Sequence, residues 1–276
     1  MPVLVQAMPL PDASGEVTGA VLVFQDITRL RDAEQLKDDF LSLVSHEFRT
    51  PLTTIHGGAH LLMNQGEDLD PQTRRELLRD IVEESDRLDR MLANMLLLTE
   101  VMAGRLEAAL EPMPIEQMVR SAATSVAARS GIHTFVIDFA PGLPAAQGDA
   151  ALLAQVLSNL YQNAIKYAPG GGKILTKVSY GDQAVEITIV DQGVGIQDSE
   201  IVRVFERFYR AGGNPGVRGT GLGLYLSRHL VEVQGGQISA SSPGLGKGAA
   251  FTVTLPIDPD WLPASDEELA APSNKE

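Results

Sequence analysis

The spacing of apolar and polar positions changes along this chain, and the changes divide it. Residues 3–25 alternate as two strands, "VLVQAMPL" and "TGAVLVFQ", around the turn-rich "PDASGEVTG". A lone hairpin is marginal in water, so these strands read as the last piece of a larger sheet. From about Arg29 the period becomes helical. Leu36, Phe40, Leu43 and Val44 recur at spacings of three and four, and Ile55 and Leu62 extend the stripe with gaps. A second helix starts at Asp70-Pro71, an N-cap residue followed by proline at the first helical position. Along it Leu77, Ile81, Leu88, Leu92, Met95, Met102 and Leu106 keep near-heptad spacing. Joined by the short "NQGEDLDPQT", the two helices predict an antiparallel hairpin with an apolar seam. Pairing two such hairpins as a dimeric four-helix bundle buries the seam, and we prefer this to pairing within the chain.

"EPMPI" near 111–115 reads as a linker. Beyond it helices and strands alternate: a helix near 115–129, a strand at "HTFVIDF", and a helix from Asp149 to about Tyr167. Strands "KILTKVSY" and "AVEITIV" follow, then a Gly-rich loop, a helix near 221–234, and strands "QISASS" and "AAFTVTLP". The order predicts an α+β domain with helices layered on one face of a mixed sheet.

Composition narrows the possibilities. The chain has 276 residues, 44% hydrophobic and 21% charged, enough for two domains with their own cores. No run approaches the roughly 18 apolar residues of a membrane span, and the opening "MPVLVQAMPLPDASGE" lacks the features of an export signal. Zero cysteines exclude disulfides and thiolate metal sites and fit a reducing, cytoplasmic setting. A net charge of −14 argues against nucleic acid as a partner. The tail "DPDWLPASDEELAAPSNKE" is acidic and expected to be disordered.

Chemistry concentrates in a few stretches. In "SLVSHEFRTPLTTIHGGAH", His46 and Glu47 are adjacent, Thr50 lies one helical turn on, and Pro51 follows. A His at position 50 would make the HExxH zinc motif; Thr50 excludes it. Taken alone, a His-Glu pair is more often a solvated helix face than a site. His56 and His60 stand at i, i+4 but lack a third ligand and read as surface residues, with Gly57-Gly58 weakening the helix between them. His133 and His229 read as ordinary. "DQGVGI" at 191–196 follows a strand and "GTGLGL" at 219–224 opens a helix; glycine lets backbone approach a ligand and a helix N-terminus favours an anion, yet each stretch alone is more often a tight turn. Neither is a Walker loop nor a GxGxxG fingerprint. Beside them, "NLYQNAIKY" sets Asn159 and Asn163 one turn apart on a helix, with Lys166 on the same side.

"SHEFRTPL", "NLYQNAIKYAP", "DQGVGI", "FERFYR" and "GTGLGL", in this order and spacing, resemble the H, N, G1, F and G2 boxes of sensor histidine kinases. The ATP domain of that family belongs to the gyrase–Hsp90–histidine-kinase–MutL superfamily, an α+β sandwich of Bergerat type. The resemblance covers about residues 30–256. "FQDITRLRDAEQLKDDFLSLVSHE" is also similar to the exit of a PAS sensor domain into such a kinase. The implied domains are a PAS-like remnant at 1–28, a dimerisation and phosphotransfer hairpin at 29–110, and an ATP-binding catalytic domain at 111–257. An acidic tail follows at 258–276, and the chain is expected to be part of a larger protein.

The resemblance also implies roles. His46 is the phosphoacceptor, since an imidazole of pKa about 6.5 keeps a free lone pair at pH 7. Glu47 accepts its proton or fixes its tautomer, and Thr50 matches the phosphatase position. Pro51 cannot donate to the carbonyl of residue 47, so the helix is expected to loosen beside His46. In the ATP domain, Asp191 receives the adenine amine, Asn163 gives an oxygen to Mg²⁺ with Asn159 beside it, and Lys166 reaches a phosphate. Tyr167 stacks near the base, and Gly193 and Gly195 let backbone approach it. Gly219, Thr220, Gly221, Leu222 and Gly223 set a helix N-terminus by the phosphates and end a mobile lid running from about 205, while Arg207 and Arg210 offset charge on the γ-phosphate. The implied function is ATP-dependent autophosphorylation of His46 within a homodimer, with transfer to the receiver of a separate response regulator, and phosphatase activity toward it. The competing classes are a non-catalytic signalling scaffold and a mechanical ATPase. Loss of His46, Asn163 or Asp191 would favour the scaffold, and the helix bearing His46 argues against the ATPase.

Overall fold

The structure, a computed structural model, describes residues 1–11, 17–66, 68–128, 130–211 and 220–258; the side chains of residues 11, 17–18, 29–30, 32–44 and 46 lie outside the description. The chain divides into two compact units, Met1–Asp89 and Arg90–Glu276.

The first unit opens with β1 (Val3–Pro11) and β2 (Val17–Asp26), paired antiparallel as a two-stranded sheet. Both faces of this ribbon expose apolar side chains, among them Val5, Met8, Leu22 and Phe24. Asp26 ends β2, and its Oδ1 accepts hydrogen bonds from the backbone and side chain of Thr28, where α1 (Thr28–Gln65) starts. These bonds hold the Asp26 carboxyl below its ordinary range. α2 (Pro71–Met102) begins on its expected cap: the amides of Gln72 and Thr73 donate to Asp70 Oδ1, both at 3.0 Å.

α1 runs unbroken through Pro51. A missing N–H at one position removes one rung of the ladder, and the neighbouring turns remain bonded. Thr53 and Thr54 hydroxyls donate back to the carbonyls of Arg49 and Thr50, at 2.8 and 3.3 Å. Such bonds soften a helix without ending it. The two glycines that follow differ from each other. A methyl at Gly57 meets nothing within 4 Å, whereas one at Gly58 falls 3.2 Å from the Ile81 side chain of α2. Gly57→Ala is therefore expected to stabilise the hairpin by about 1 kcal/mol, and Gly58→Ala to gain little because Ile81 must yield. Thermal unfolding of the two variants checks this; equal gains would remove the packing role of Gly58.

The second unit has a five-stranded mixed sheet in the order β4-β6-β7-β9-β8: β4 (His133–Phe139), β6 (Gly172–Tyr180), β7 (Ala184–Val190), β9 (Ala250–Pro256) and β8 (Gln237–Ser241). Only the β4–β6 pair is parallel. Alternation sends Val185, Ile187 and Ile189 of β7 and Phe251, Val253 and Leu255 of β9 inward. They meet helices α3 (Ile115–Ala127), α4 (Ala150–Tyr167) and α5 (Gly223–Glu232) in one core. Asp149 caps α4 by accepting from the amides of Ala151 and Leu152. Its buried stripe includes Leu153, Leu157, Leu160 and Tyr161, whose hydroxyl is satisfied by Thr176 at 2.8 Å.

Most of these elements match the predicted helices and strands to within about two residues, but α2 stops at Met102, where Gly104 at φ 63° follows, so Leu106 lies beyond the helix whose stripe it was expected to extend. The expected linker at 111–115 differs. There β3 (Glu111–Met113) pairs antiparallel with β5 (Ala146–Gly148), and Met113 is 1% exposed. Among the described residues no helix is long and apolar enough to cross a membrane. The acidic tail from residue 259 onward lies outside the described residues.

Candidate functional site

β7, the central strand of the sheet, delivers Asp191 just past its last residue. Asp191 is buried, 5% exposed. Its Oδ1 accepts from the amides of Gly193 at 2.8 Å and Ala249 at 3.2 Å. Both described bonds fall on Oδ1, and Asp191 is among the residues that line a cavity. Burial pushes the Asp191 carboxyl above its ordinary value, against the pull of the Gly193 and Ala249 amides.

The cavity holds about 230 Å³, and its walls include Tyr167 from α4, Gly195 and Ile196 from the loop after β7, Leu224 from α5, and Phe251 from β9. One buried acceptor in an otherwise largely apolar chamber suits a flat heteroaromatic ring carrying an amine. The glycines make the chamber possible. A Cβ at Gly193 would lie 2.3 Å from the carbonyl oxygen of Tyr167, and Gly195, at φ 69°, would strike the carbonyl of Gly244.

Around this chamber the predicted polar residues take separate posts. Lys166 Nζ sits 4.9 Å from the centre of the Tyr167 ring. Burial raises the Tyr167 hydroxyl, and the positive charge of Arg210 opposes the rise. Arg207 lies over the Tyr225 ring at 5.5 Å. Asn163 is half-buried on α4, one turn before Tyr167. Asn159 points elsewhere: its amide donates to Ser227 Oγ at 2.8 Å, and its Oδ1 fills the space a Cβ at Gly223 would take. It therefore fixes the start of α5 instead of lining the cavity. Thr220 Oγ1 accepts from the Leu222 amide, and Leu222 is fully buried.

The bases of the 205–223 segment are joined. Phe208, the non-glycine residue with positive φ among those described, donates its amide to the Gly221 carbonyl at 3.1 Å. Gly221 at φ 70° packs against the Phe208 backbone so closely that no Cβ fits. Gly219 lies outside the described residues. The sequence reading overlooked Ile196, Leu224, Phe251, Glu200 and Tyr209 in this wall. Tyr209 donates its hydroxyl to Glu200 at 2.8 Å, which raises the Tyr209 pKa.

In the first unit His46 and Thr50 occupy successive turns of α1, and the side chain of His46 lies outside the described residues. Thr50 is half-buried. Glu47 reaches across to α2, where Arg87 Nη2 donates to its Oε2 at 3.1 Å. Sequence reasoning had no signal for this partner. Among the described residues no three His, Asp or Glu side chains gather to hold a metal, so a cation here would depend on a ligand such as Asn163 together with oxygens of the bound substrate.

Two family models match in succession. Residues 36–104 match the His Kinase A (phospho-acceptor) domain, and residues 148–259 match the histidine kinase-, DNA gyrase B-, and HSP90-like ATPase. The phosphate regulon sensor protein PhoR of Pseudomonas aeruginosa is 32% identical over 236 residues, covering 84% of this chain and 53% of the relative. Drug sensory protein A of Synechocystis is 34% identical over 253 residues, covering 87% of this chain and 38% of that protein. Among solved structures, full-length ShkA in complex with AMPPNP aligns at TM-score 0.57 and 29% identity, over 82% of this chain and 47% of that one. The chain spans about half the length, or less, of these curated relatives.

Proposed function

The chain belongs to the two-component sensor histidine kinases, and from that membership we propose that it is an ATP-dependent protein-histidine kinase whose own His46 takes the phosphoryl group. One observation carries the reading: a buried carboxylate, Asp191, lines a cavity whose walls are mostly apolar, with Gly195 among them. Asp191 Oδ2 accepts from the exocyclic amine of adenine, a contact that guanine, with a carbonyl there, does not offer. Tyr167 lies against the base, and Gly193 and Gly195 keep backbone close to it.

Asn163 would hold Mg²⁺ through its amide oxygen, and the ion would supply positive charge against the phosphate oxygens. Lys166, Arg207 and Arg210 add positive charge at the same phosphates, and Thr220, Gly221, Leu222 and Gly223 lead into α5, whose start would lie beside them; Gly219 is assigned with them from its place in the motif. Asn159 serves by holding Gly223 and Ser227 in place. At His46 one ring nitrogen attacks the γ-phosphorus. The new P–N bond forms as the bond to ADP breaks, and the proton of the other nitrogen goes to Glu47.

Residues 29–110 pair in a homodimer, a reading supported by apolar side chains left exposed along the hairpin, including Leu52, Met63, Leu78 and Val82. The phosphoryl group then passes to an aspartate of a separate response regulator, on the cytoplasmic side where ATP is supplied. Thr50 orients the water that removes it from the regulator again.

Incubation with γ-labelled ATP and Mg²⁺ tests the reading. Acid-labile, base-stable label that is lost in His46→Ala supports it; nucleotide binding without label points to a scaffold, and phosphate release without label to an ATPase. Thr50→Ala is expected to retain autophosphorylation within about twofold and to lose roughly tenfold or more of the phosphatase rate, since it removes only a water-orienting hydroxyl. Parallel loss of both rates would refute this division.

A further inference from the structure

The contact between Glu47 and Arg87 carries an inference that rests on the reading above. Glu47 is the acid beside the phosphoacceptor, yet its only described partner is on the other helix of the hairpin. Arg87 Nη2 donates to Glu47 Oε2 at 3.1 Å, and Nη1 donates to Glu84 Oε2 at 3.4 Å. The Glu47 side chain is 12% exposed and that of Arg87 20%, so water screens the pair far less than it screens a surface ion pair.

A glutamate has three side-chain torsions, and a free one samples many rotamers. A guanidinium that bridges two carboxylates restricts that sampling, because its fork of donors is planar and fixed. The bridge is also one-sided. Among the described residues, one oxygen, Oε2, is anchored and the other, Oε1, takes no hydrogen bond.

We propose that Arg87 is a positioning residue for phosphorylation: it anchors Glu47 through Oε2 so that Oε1 receives the proton leaving His46. Arg87 touches neither nucleotide nor imidazole in this scheme and acts through Glu47 alone. Glu84 holds the guanidinium from its own helix, one turn away at i, i+3. The bond changes are those of the autophosphorylation step, with no further reactant.

The test uses the full chain with γ-labelled ATP and Mg²⁺, measuring the initial labelling rate across ATP concentrations. Arg87→Ala is expected to lower the rate at saturating ATP about tenfold while leaving half-saturating ATP within about twofold, as a misplaced proton acceptor requires. Arg87→Lys, which keeps one donor and the charge, should recover most of the rate. The double variant Glu47→Ala/Arg87→Ala should label no more slowly than Glu47→Ala alone, because the role of Arg87 vanishes with its target. Circular dichroism of each variant accompanies the rates, and Arg87→Lys keeps the comparison alive if the alanine variant unfolds. A wild-type rate in folded Arg87→Ala, or losses that multiply in the double variant, overturns the proposal while leaving the kinase reading intact. Unlabelled wild-type chain sinks the kinase reading itself, and this proposal with it.

Discussion

Asp191→Asn is expected to weaken binding of adenine nucleotides roughly hundredfold, about 2.7 kcal/mol, with little disturbance of the fold. An asparagine keeps an Oδ1 that accepts from the amides of Gly193 and Ala249, so the turn after β7 survives. Toward the cavity it presents an N–H₂ in place of a carboxylate oxygen, and two donors then face each other. Calorimetric titration with a non-hydrolysable ATP analogue measures the loss, and the same titration with a guanine nucleotide should show the preference narrowing. Unchanged affinity would remove Asp191 from base recognition.

The protonation behaviour of this carboxylate separates binding from stability. Burial raises the Asp191 pKa above its ordinary 3.8. Its contribution to stability is therefore full below that ordinary value and is lost as pH rises through the raised one. The ligand-free domain should consequently melt no lower as Asp191→Asn than as wild type at neutral pH, with the difference shrinking in acid. Nucleotide affinity runs the opposite way, because the base amine needs the ionised acceptor. Affinity in wild type should fall on acidification while the pH is still above the ordinary aspartate range, and Asp191→Asn should lack that limb.

Gly193→Ala is the second large effect. Its Cβ would lie 2.3 Å from the carbonyl oxygen and 2.7 Å from the carbonyl carbon of Tyr167, and 2.9 Å from Asp191 Oδ1. The two Tyr167 atoms are backbone and cannot swing aside, and Asp191 Oδ1 is held by the amides of Gly193 and Ala249. The Tyr167 carbonyl accepts from the Val194 amide at 3.0 Å, and the Gly193 carbonyl accepts from Gly248 at 3.0 Å. Relieving the clash must break one of these bonds or push Tyr167 into the cavity. The expected cost is about 3 kcal/mol, which lowers Tm by roughly 6 to 12 °C for a unit of this size, together with loss of detectable nucleotide binding. Gly181→Ala, where a Cβ meets nothing within 4 Å, is the control expected to change neither. A melting temperature within 2 °C of wild type for Gly193→Ala, on the scale of about 2 to 4 °C per kcal/mol, would show that the loop relaxes more easily than its hydrogen bonds imply.

What sequence reading recovered follows from where the signals are local. Asp149 caps a long apolar stripe, and the period-two runs of β7 and β9 bury one face, so these elements announce themselves within a few residues. β3 does not, because three residues containing Pro112 establish no period, and their partner β5 lies far along the chain. The site divides the same way. Asp191 and its glycines, each an ordinary turn residue at a strand end, stand out only through the ordered set of motifs they form with the other stretches. Ile196, Leu224 and Phe251 look like any core positions, and only the fold turns them toward one chamber. Asn159 was legible as a polar residue on the right helix, but its bond to Ser227 depends on how α4 and α5 pack. Arg87 was one charge among many on α2 until the hairpin set it against Glu47.

The backbone bond from Phe208 to Gly221 has a consequence for evolution and for engineering. It ties Phe208 to the residues that open α5, so the position of that helix start depends on a residue thirteen places before Gly221 in the chain. A side chain at Gly221 would push on the Phe208 backbone, and a substitution there would be felt at both ends of the bond.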